Sequence, residues 1–178
     1  WKWDYAETES FRGYFDAEVT ELADGLGKLA ISGDYESADV SQQYTGTTHF
    51  ICDGGYYATS QEITATTTAG GEVTTYTTET SYSEPVVTMP ASLSMADTWT
   101  AEYSYTTRSG EQSYSGYYSE QYTVTDSTSM EVKAGIFPVF ELTCVQTTSG
   151  SNITRYSYVA QDVGNVAGQT YELAAFNP

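Results

Sequence analysis

Aromatic and apolar side chains recur at every second position over much of this chain, and this period constrains the fold more than any other feature. In the stretch "DTWTAEYSYTT", Trp99, Ala101, Tyr103 and Tyr105 alternate with Thr, Glu and Ser. Successive side chains of a β-strand point to opposite faces, so the alternation predicts a strand with one apolar and one polar face. The same period occurs in "YYSEQYTVT", "PVFELTCVQ", "TRYSYVA" and "TYELAAF". Such strands are typical of antiparallel sheets with one covered face.

The alternation also predicts which side chains share a face. Tyr118, Tyr122 and Val124 fall on one face, and Glu120 interrupts it. Three later faces are predicted in the same way: Phe140, Leu142 and Cys144; Tyr156, Tyr158 and Ala160; and Tyr171, Leu173 and Ala175.

Tyrosine and tryptophan supply the apolar area that aliphatic side chains usually supply. Leu, Ile, Val and Phe account for 29 of 178 residues, and the net charge is −18, a combination found in disordered chains. However, 17 Tyr and 3 Trp are present, and each such ring buries roughly 150–250 Å². Tyr, Thr and Val also favour strands. The composition therefore predicts a folded, aromatic-rich β protein.

The first half of the chain follows the same rule more loosely. Strands are expected near 11–21, 28–36, 39–51, 55–65 and 72–83, separated by Gly-containing turns such as "ADGLGK", "DGG" and "AGG". Residues 7–26 also suit a helix through the spacing of Phe15, Val19, Leu22 and Leu26, so both structures stay open there. Residues 84–93 hold two prolines and are expected to cross between two sets of strands. Residues 1–10 are a candidate extended arm. The prediction is one β domain over 1–178, with little helix, either a large curved antiparallel sheet or a half-open barrel.

The acidic balance, 24 acidic against 6 basic residues, argues against a nucleic-acid partner, because phosphate binding requires Lys and Arg. No run of about 18 apolar residues is present, so no membrane-spanning helix is expected. No motif for a nucleophile, a phosphate-binding loop or a cofactor occurs, and His49 is expected to be a half-buried strand residue. The chain is therefore predicted to be non-catalytic, without metal or cofactor; acidic groups near Asp34 favour solvated loops over calcium ligands.

Two cysteines, Cys52 and Cys144, leave three interpretations open. They form a disulfide across neighbouring strands, they stay as two buried free thiols, or, least favoured, they bind a metal. The tripeptide "NIT" makes Asn152 a candidate glycosylation acceptor.

Several stretches occur in an order that is similar to a family of secreted bacterial lipoproteins of unknown function. The stretches are "YTGTTHFICDGGYYATSQEI", "MPASLSMADTW", "YTVTDSTSMEVKAGIFPVFELTCV" and "RYSYVAQDVGNVAGQTYEL". The resemblance covers residues 45–176 and implies a strongly curved sheet like that of the LolA lipoprotein carrier. Ala96 stands where the family pattern has Gly. The resemblance implies a secreted, periplasmic or cell-surface location.

The predicted aromatic face gives the one candidate site. If the curved sheet stays open, its concave face forms a mostly apolar groove with hydroxyl tips, suited to a lipid or acyl ligand. The alternative is that these rings only pack the core. A second function is also open: a subunit of a filament or envelope assembly, in which sheet edges or residues 1–10 pair between protomers or with other envelope proteins. The candidate groove residues are Trp99, Tyr103, Tyr105, Tyr118, Tyr122, Phe140 and Leu142.

Overall fold

The computed structural model describes residues 1–5, 11–53, 55–148 and 151–176, and in this part of the chain all regular structure is β. The described residues form twelve strands. In chain order they are β1 (Lys2–Tyr5), β2 (Phe11–Ala23), β3 (Leu26–Ser37), β4 (Val40–Cys52), β5 (Gly55–Ala69), β6 (Glu72–Pro90), β7 (Thr98–Ser109), β8 (Gln112–Val132), β9 (Gly135–Thr148), β10 (Ser151–Ala160), β11 (Gly164–Gly168) and β12 (Tyr171–Ala175).

The strands form a single antiparallel sheet in which each strand pairs with its neighbours in the chain. The predicted all-β class and single curved sheet are therefore confirmed. The sheet closes, because β1 pairs with β2 on one side and with β12 on the other; Trp3 lies opposite both Phe15 and Leu173. A closed barrel has no free first or last strand.

Short turns allow the strands to follow one another directly. Asp24 and Gly25 join β2 to β3 with φ angles of 52° and 78°, and Gly70 and Gly71 join β5 to β6 with 57° and 85°. Two successive positive φ values are typical of type I′ turns, whose twist matches that of the strands. The "ADGLGK" and "AGG" signals therefore predict these hairpins correctly.

Aromatic rings lie over interior glycines of neighbouring strands. Tyr44 is directly opposite Gly33, and Tyr105 is directly opposite Gly116. A Cβ added at Gly33 would lie about 2.4 Å from the Tyr44 ring, and one at Gly116 about 2.6 Å from the Tyr105 hydroxyl oxygen. The missing side chain thus leaves the space that the ring fills, which lets a tight barrel accept large aromatic residues.

The most deeply buried residues lie where β12 and β11 meet β1, β2, β8 and β9. Leu173 and Val166 have no exposed surface, and Trp3 packs beside them with its ring stacked on Phe15 at 4.7 Å between centroids. The buried members of this cluster are Trp3, Ala17, Val132, Val139, Ala160, Val166 and Leu173.

The structure differs from three expectations. The described part of the expected arm, Lys2–Tyr5, is a strand of the barrel, and residues 6–10 lie outside the described residues. Residues 11–23 are strand and not helix, because they pair with β3 along nearly their whole length. The expected crossover at 84–93 is wrong for 84–90, which continue β6. Pro85 is accommodated because the β5–β6 register shifts between Ala58 and Ser60, and prolines are tolerated at such irregularities.

The connection from β6 to β7 packs against the barrel. Leu93, only 9% exposed, contacts Val124 and Leu142, and the Ala96 amide donates to the Val124 carbonyl at 3.2 Å. Ala96 has a φ of 67°, in the left-handed region that favours glycine. The connection between β6 and β7 is therefore fixed against β8 and β9 by these contacts.

Candidate functional site

The structure brings all seven candidate groove residues together on β7, β8 and β9. Trp99 lies directly opposite Tyr122, and Tyr103 directly opposite Tyr118. The Trp99 and Tyr122 rings stack at 4.9 Å between centroids with an interplanar angle of 5°, and Tyr105 stacks on Tyr118 at 5.0 Å and 10°. The rings therefore form two flat stacked pairs on one face of the sheet.

The remaining candidate residues extend this face toward the core. Leu142 is 4% exposed and packs against Val124 and Val159, with Phe140 and Trp99 beside them. Most of the stacked rings are half-buried, not buried. Cross-strand partners place them on the same side of the sheet as buried Leu142, so the surface that they expose lies on the inner face of the barrel.

A polar cluster lies within this apolar face. Glu120 is 8% exposed, and its carboxylate accepts a hydrogen bond from the Tyr122 hydroxyl at 2.9 Å and another from the Gln146 amide at 2.5 Å. Gln146 is 7% exposed, and its carbonyl oxygen accepts from the Arg155 guanidinium at 3.0 Å. Buried polar groups normally occur with such partners, since an unpaired one is costly. β8 thus supplies two members of a connected network, and β9 and β10 supply one each.

Burial and the charge of Glu120 raise the pKa of the surrounding tyrosines. Burial is the larger cause for Tyr103 and Tyr122, and the Glu120 carboxylate adds to it by opposing a second negative charge. The same two causes raise the pKa of Tyr82. Burial also raises the pKa of the Cys144 thiol. These hydroxyls and this thiol therefore stay protonated at neutral pH, and the Tyr122 hydroxyl donates its proton in the hydrogen bond to Glu120.

One buried donor in this site has no acceptor. The indole Nε1 of Trp99 is shielded from solvent and makes no hydrogen bond in the described structure. By contrast, the Nε1 of Trp3 donates to the Asn165 carbonyl at 2.9 Å, and that of Trp1 donates to the Val163 carbonyl at 2.8 Å. An unmatched buried donor costs about 1–3 kcal/mol, so Trp99 is the point in this face where an acceptor would be most favourable.

The structure corrects the cysteine prediction. Both thiols are free; Cys144 is buried, and Cys52 is exposed. A bridge across neighbouring strands is wrong because Cys52 is on β4 and Cys144 on β9, which are not adjacent in the barrel. Two buried thiols is also wrong, since Cys52 lies at the end of its strand next to the turn.

His49 is exposed on β4, contrary to the half-buried position expected for it. Asn152 is exposed near the start of β10, and its glycosylation stays a prediction. Within the described ranges, no group of three or more His, Cys, Asp or Glu side chains is placed to hold a metal ion.

Sequence reasoning found the aromatic members of the site but assigned no role to its polar members. The one signal of the polar members in the sequence is Glu120, because it interrupts a face that is otherwise apolar. Arg155 was missed because the alternation "TRYSYVA" placed Tyr156 and Tyr158 on the covered face. In the structure Arg155 lies opposite Cys144, and Tyr156 is 46% exposed. The predicted face of this segment is therefore wrong, because the side that faces the site is partly polar.

Comparisons of the chain with protein-family models, with curated proteins and with solved structures found no match. Within the residues that the structure covers, no helix is both long and apolar enough to cross a membrane.

Proposed function

We propose that this protein is a non-catalytic binding protein that holds a neutral, largely apolar ligand against the aromatic face of β7, β8 and β9. The observation that carries the proposal is the shielded, unpaired indole N–H of Trp99 among stacked rings. Native structures rarely leave such a donor unmatched, so a ligand acceptor is a direct explanation.

The surrounding groups define the class of ligand. Stacked, half-buried rings offer flat apolar surfaces to an acyl chain or a ring system. Trp99 offers one donor to a carbonyl, ester or hydroxyl oxygen, and because its Nε1 is shielded from solvent, the ligand reaches it only by displacing the side chains that cover it. The negative charge of Glu120, which raises the pKa of Tyr122, opposes an anionic head group at the same place. The ligand expected is therefore a neutral lipid or acyl ester in preference to a free fatty acid.

The proposal includes a location outside the cytoplasm: secreted, periplasmic or at the cell surface. Its support is the resemblance to secreted lipoproteins over residues 45–176. The left-handed φ of 67° at Ala96 agrees with the Gly of that family pattern, because glycine adopts this conformation at little cost.

A role as an assembly subunit has less support. Pairing between protomers needs an unpaired strand edge, and the first and last strands offer none, because β1 and β12 pair with each other and close the barrel. The described residues of the candidate donor arm, Lys2–Tyr5, already belong to their own barrel.

The experiment compares monoolein, a neutral acyl ester, with oleate, its anionic counterpart. Native mass spectrometry of the full chain with each lipid is expected to show a one-to-one complex with monoolein and a weaker one with oleate. In Trp99→Phe the affinity for monoolein should fall about two- to tenfold, the value of one net hydrogen bond. Trp3→Phe is the matched control, because the Trp3 indole already has a protein acceptor. If neither lipid forms a complex, or if both variants lose affinity equally, the proposal fails.

A further inference from the structure

A cavity of about 300 Å³ lies on the opposite, outward face of the sheet, across β4, β5, β6 and β7. Its lining includes His49, Ser60, Glu62, Glu79 and Arg108. None of these residues belongs to the aromatic face. The cavity is therefore a separate feature, and a role for it is independent of the proposed function.

The cavity lies beside irregularities in three successive strand ladders. The β4–β5 register shifts between His49 and Phe50, and the β5–β6 register shifts between Ala58 and Ser60. The β6–β7 ladder ends at the pair of Tyr82 and Tyr105. Bulges bend strands and re-aim side chains, and they are common next to functional sites. Three breaks at one level give the sheet a local concavity on its outer face.

The register places an unusual row of charges along this concavity. Glu62 lies directly opposite Glu79, and Glu79 directly opposite Arg108. Two carboxylates in direct cross-strand positions repel each other, which is destabilising unless something lies between them. No ion pair joins Arg108 to Glu79 in the described structure, even though their strand positions are adjacent.

Arg108 differs from the other basic residues of the chain. Each of the other five makes an ion pair, a hydrogen bond or a ring contact. Among the residues that the structure describes, Arg108 makes none of these. Arg108 is exposed and lies directly opposite Glu79, so the local departure from favourable charge placement is the opposed pair of carboxylates, Glu62 and Glu79, in a chain of net charge −18. Such departures occur at functional sites more often than elsewhere.

We infer that this outer cavity binds a small zwitterion. Its ammonium group lies between Glu62 and Glu79, and its acidic group meets Arg108. Directly opposed side chains on neighbouring strands are about 5 Å apart at Cβ, so a small ligand with its two charges a few bonds apart can reach Glu79 and Arg108 together. Two carboxylates exclude a purely anionic ligand, and the adjacent guanidinium disfavours a purely cationic one. Ser60 and His49 add hydrogen-bonding groups beside the row.

The test uses phosphoethanolamine together with its two halves, ethanolamine and inorganic phosphate. Titration of the full ¹⁵N-labelled chain, followed by NMR, should shift the amide signals of Ser60, Glu62 and Glu79 with phosphoethanolamine. Neither half should produce these shifts at the same concentration. Raising the salt concentration should weaken the binding, because exposed charges are screened.

Variants test whether binding depends on the charged residues of the cavity or only on the net charge of the protein. Arg108→Gln and Glu79→Gln should each weaken phosphoethanolamine binding about fivefold or more, as expected of one partly screened charge contact. Glu102→Gln, which changes an exposed glutamate of β7 outside the cavity, should leave the affinity unchanged. Ethanolamine binding as tightly as phosphoethanolamine would overturn the inference, as would shifts with none of the three compounds or equal losses in all variants.

Discussion

The contact between Tyr105 and Gly116 allows a test of how the aromatic face is packed. In Gly116→Ala, the new Cβ would lie 2.6 Å from the Tyr105 hydroxyl oxygen and 2.7 Å from two ring carbons, far inside normal contact distance. The ring must therefore move. Tyr105 is stacked on Tyr118 at 5.0 Å, so the movement also disturbs that pair.

The expected loss follows from three contributions. Overpacking of this kind costs about 1–3 kcal/mol, and disturbing an aromatic pair costs about 0.5–1.5 kcal/mol. Replacing a strand glycine by alanine raises the free energy of unfolding by about 0.5–1 kcal/mol, because alanine lowers the backbone entropy of the unfolded chain. Gly116→Ala should therefore lower the free energy of unfolding by about 0.5–4 kcal/mol, with about 2 kcal/mol as the central value. For a chain of this size, each kcal/mol corresponds to about 2–4 °C in Tm.

The loss of stability is measured by urea unfolding, with near-ultraviolet circular dichroism as the signal. The same substitution in a second background, Tyr105→Ala, tests whether the loss comes from the Tyr105 ring. In Tyr105→Ala the ring is absent, so adding Gly116→Ala should stabilise by about 0.5–1 kcal/mol instead of destabilising. This reversal of sign is the decisive result. An equal loss in both backgrounds would refute the reasoning, because the cost would then not come from the ring.

Two further predictions concern the titratable groups. In native protein, Ellman's reagent should modify exposed Cys52 quickly and buried Cys144 only after unfolding, so that one thiol per chain reacts at first; two equal rates would contradict the burial of Cys144. Burial raises the pKa of Tyr56 to about 12, and it also raises the pKa values of Tyr103 and Tyr122. Since these folded-state values exceed about 10, their contribution to stability should be complete below about pH 10 and be lost as pH rises toward and beyond about 12. Absorbance at 295 nm follows tyrosine ionisation, and circular dichroism follows the fold. The two signals should show that these buried tyrosines ionise only at high pH, together with unfolding. Ionisation of all tyrosines near about pH 10 with the fold intact would contradict the prediction.

Sequence periodicity was sufficient to predict the class of fold, because the alternation of apolar and polar residues within each strand indicates which face is covered. Closure of the barrel is a different kind of information. It depends on β1 and β12, of four and five residues, which pair across the full length of the chain. Segments this short carry little pattern of their own, so the same residues are equally consistent with a loose arm. The ambiguity over 11–23 has a comparable cause: Leu22 and Leu26 suit a helical face, yet both are 60% exposed in the hairpin.

The candidate site contains residues that the alternation of apolar and polar side chains cannot predict. Trp99, Tyr103 and Tyr118 could be placed on one face because aromatic residues alternate with polar ones along their strands. Arg155 could not, since nothing local indicates that a guanidinium turns toward the covered side. Its position becomes reasonable only when Glu120 and Gln146, on two other strands, are known to complete the chain of hydrogen bonds. Such pairing is a property of register between strands and leaves no trace within a strand.

The polar cluster also bears on why the aromatic face is built as it is. A buried, hydrogen-bonded carboxylate contributes little net stability compared with an apolar residue of the same size, because its desolvation offsets its contacts. Selection for stability alone would therefore favour an aliphatic residue at position 120, in line with Val124 on the same strand. Glu120 instead fixes the Tyr122 hydroxyl at 2.9 Å, and Tyr122 in turn stacks on Trp99. The network thereby holds in place the one ring whose N–H is unmatched among the described residues. A carboxylate that stabilises little but orients an unpaired donor is better explained by binding than by packing, and the polar cluster therefore supports the proposed ligand.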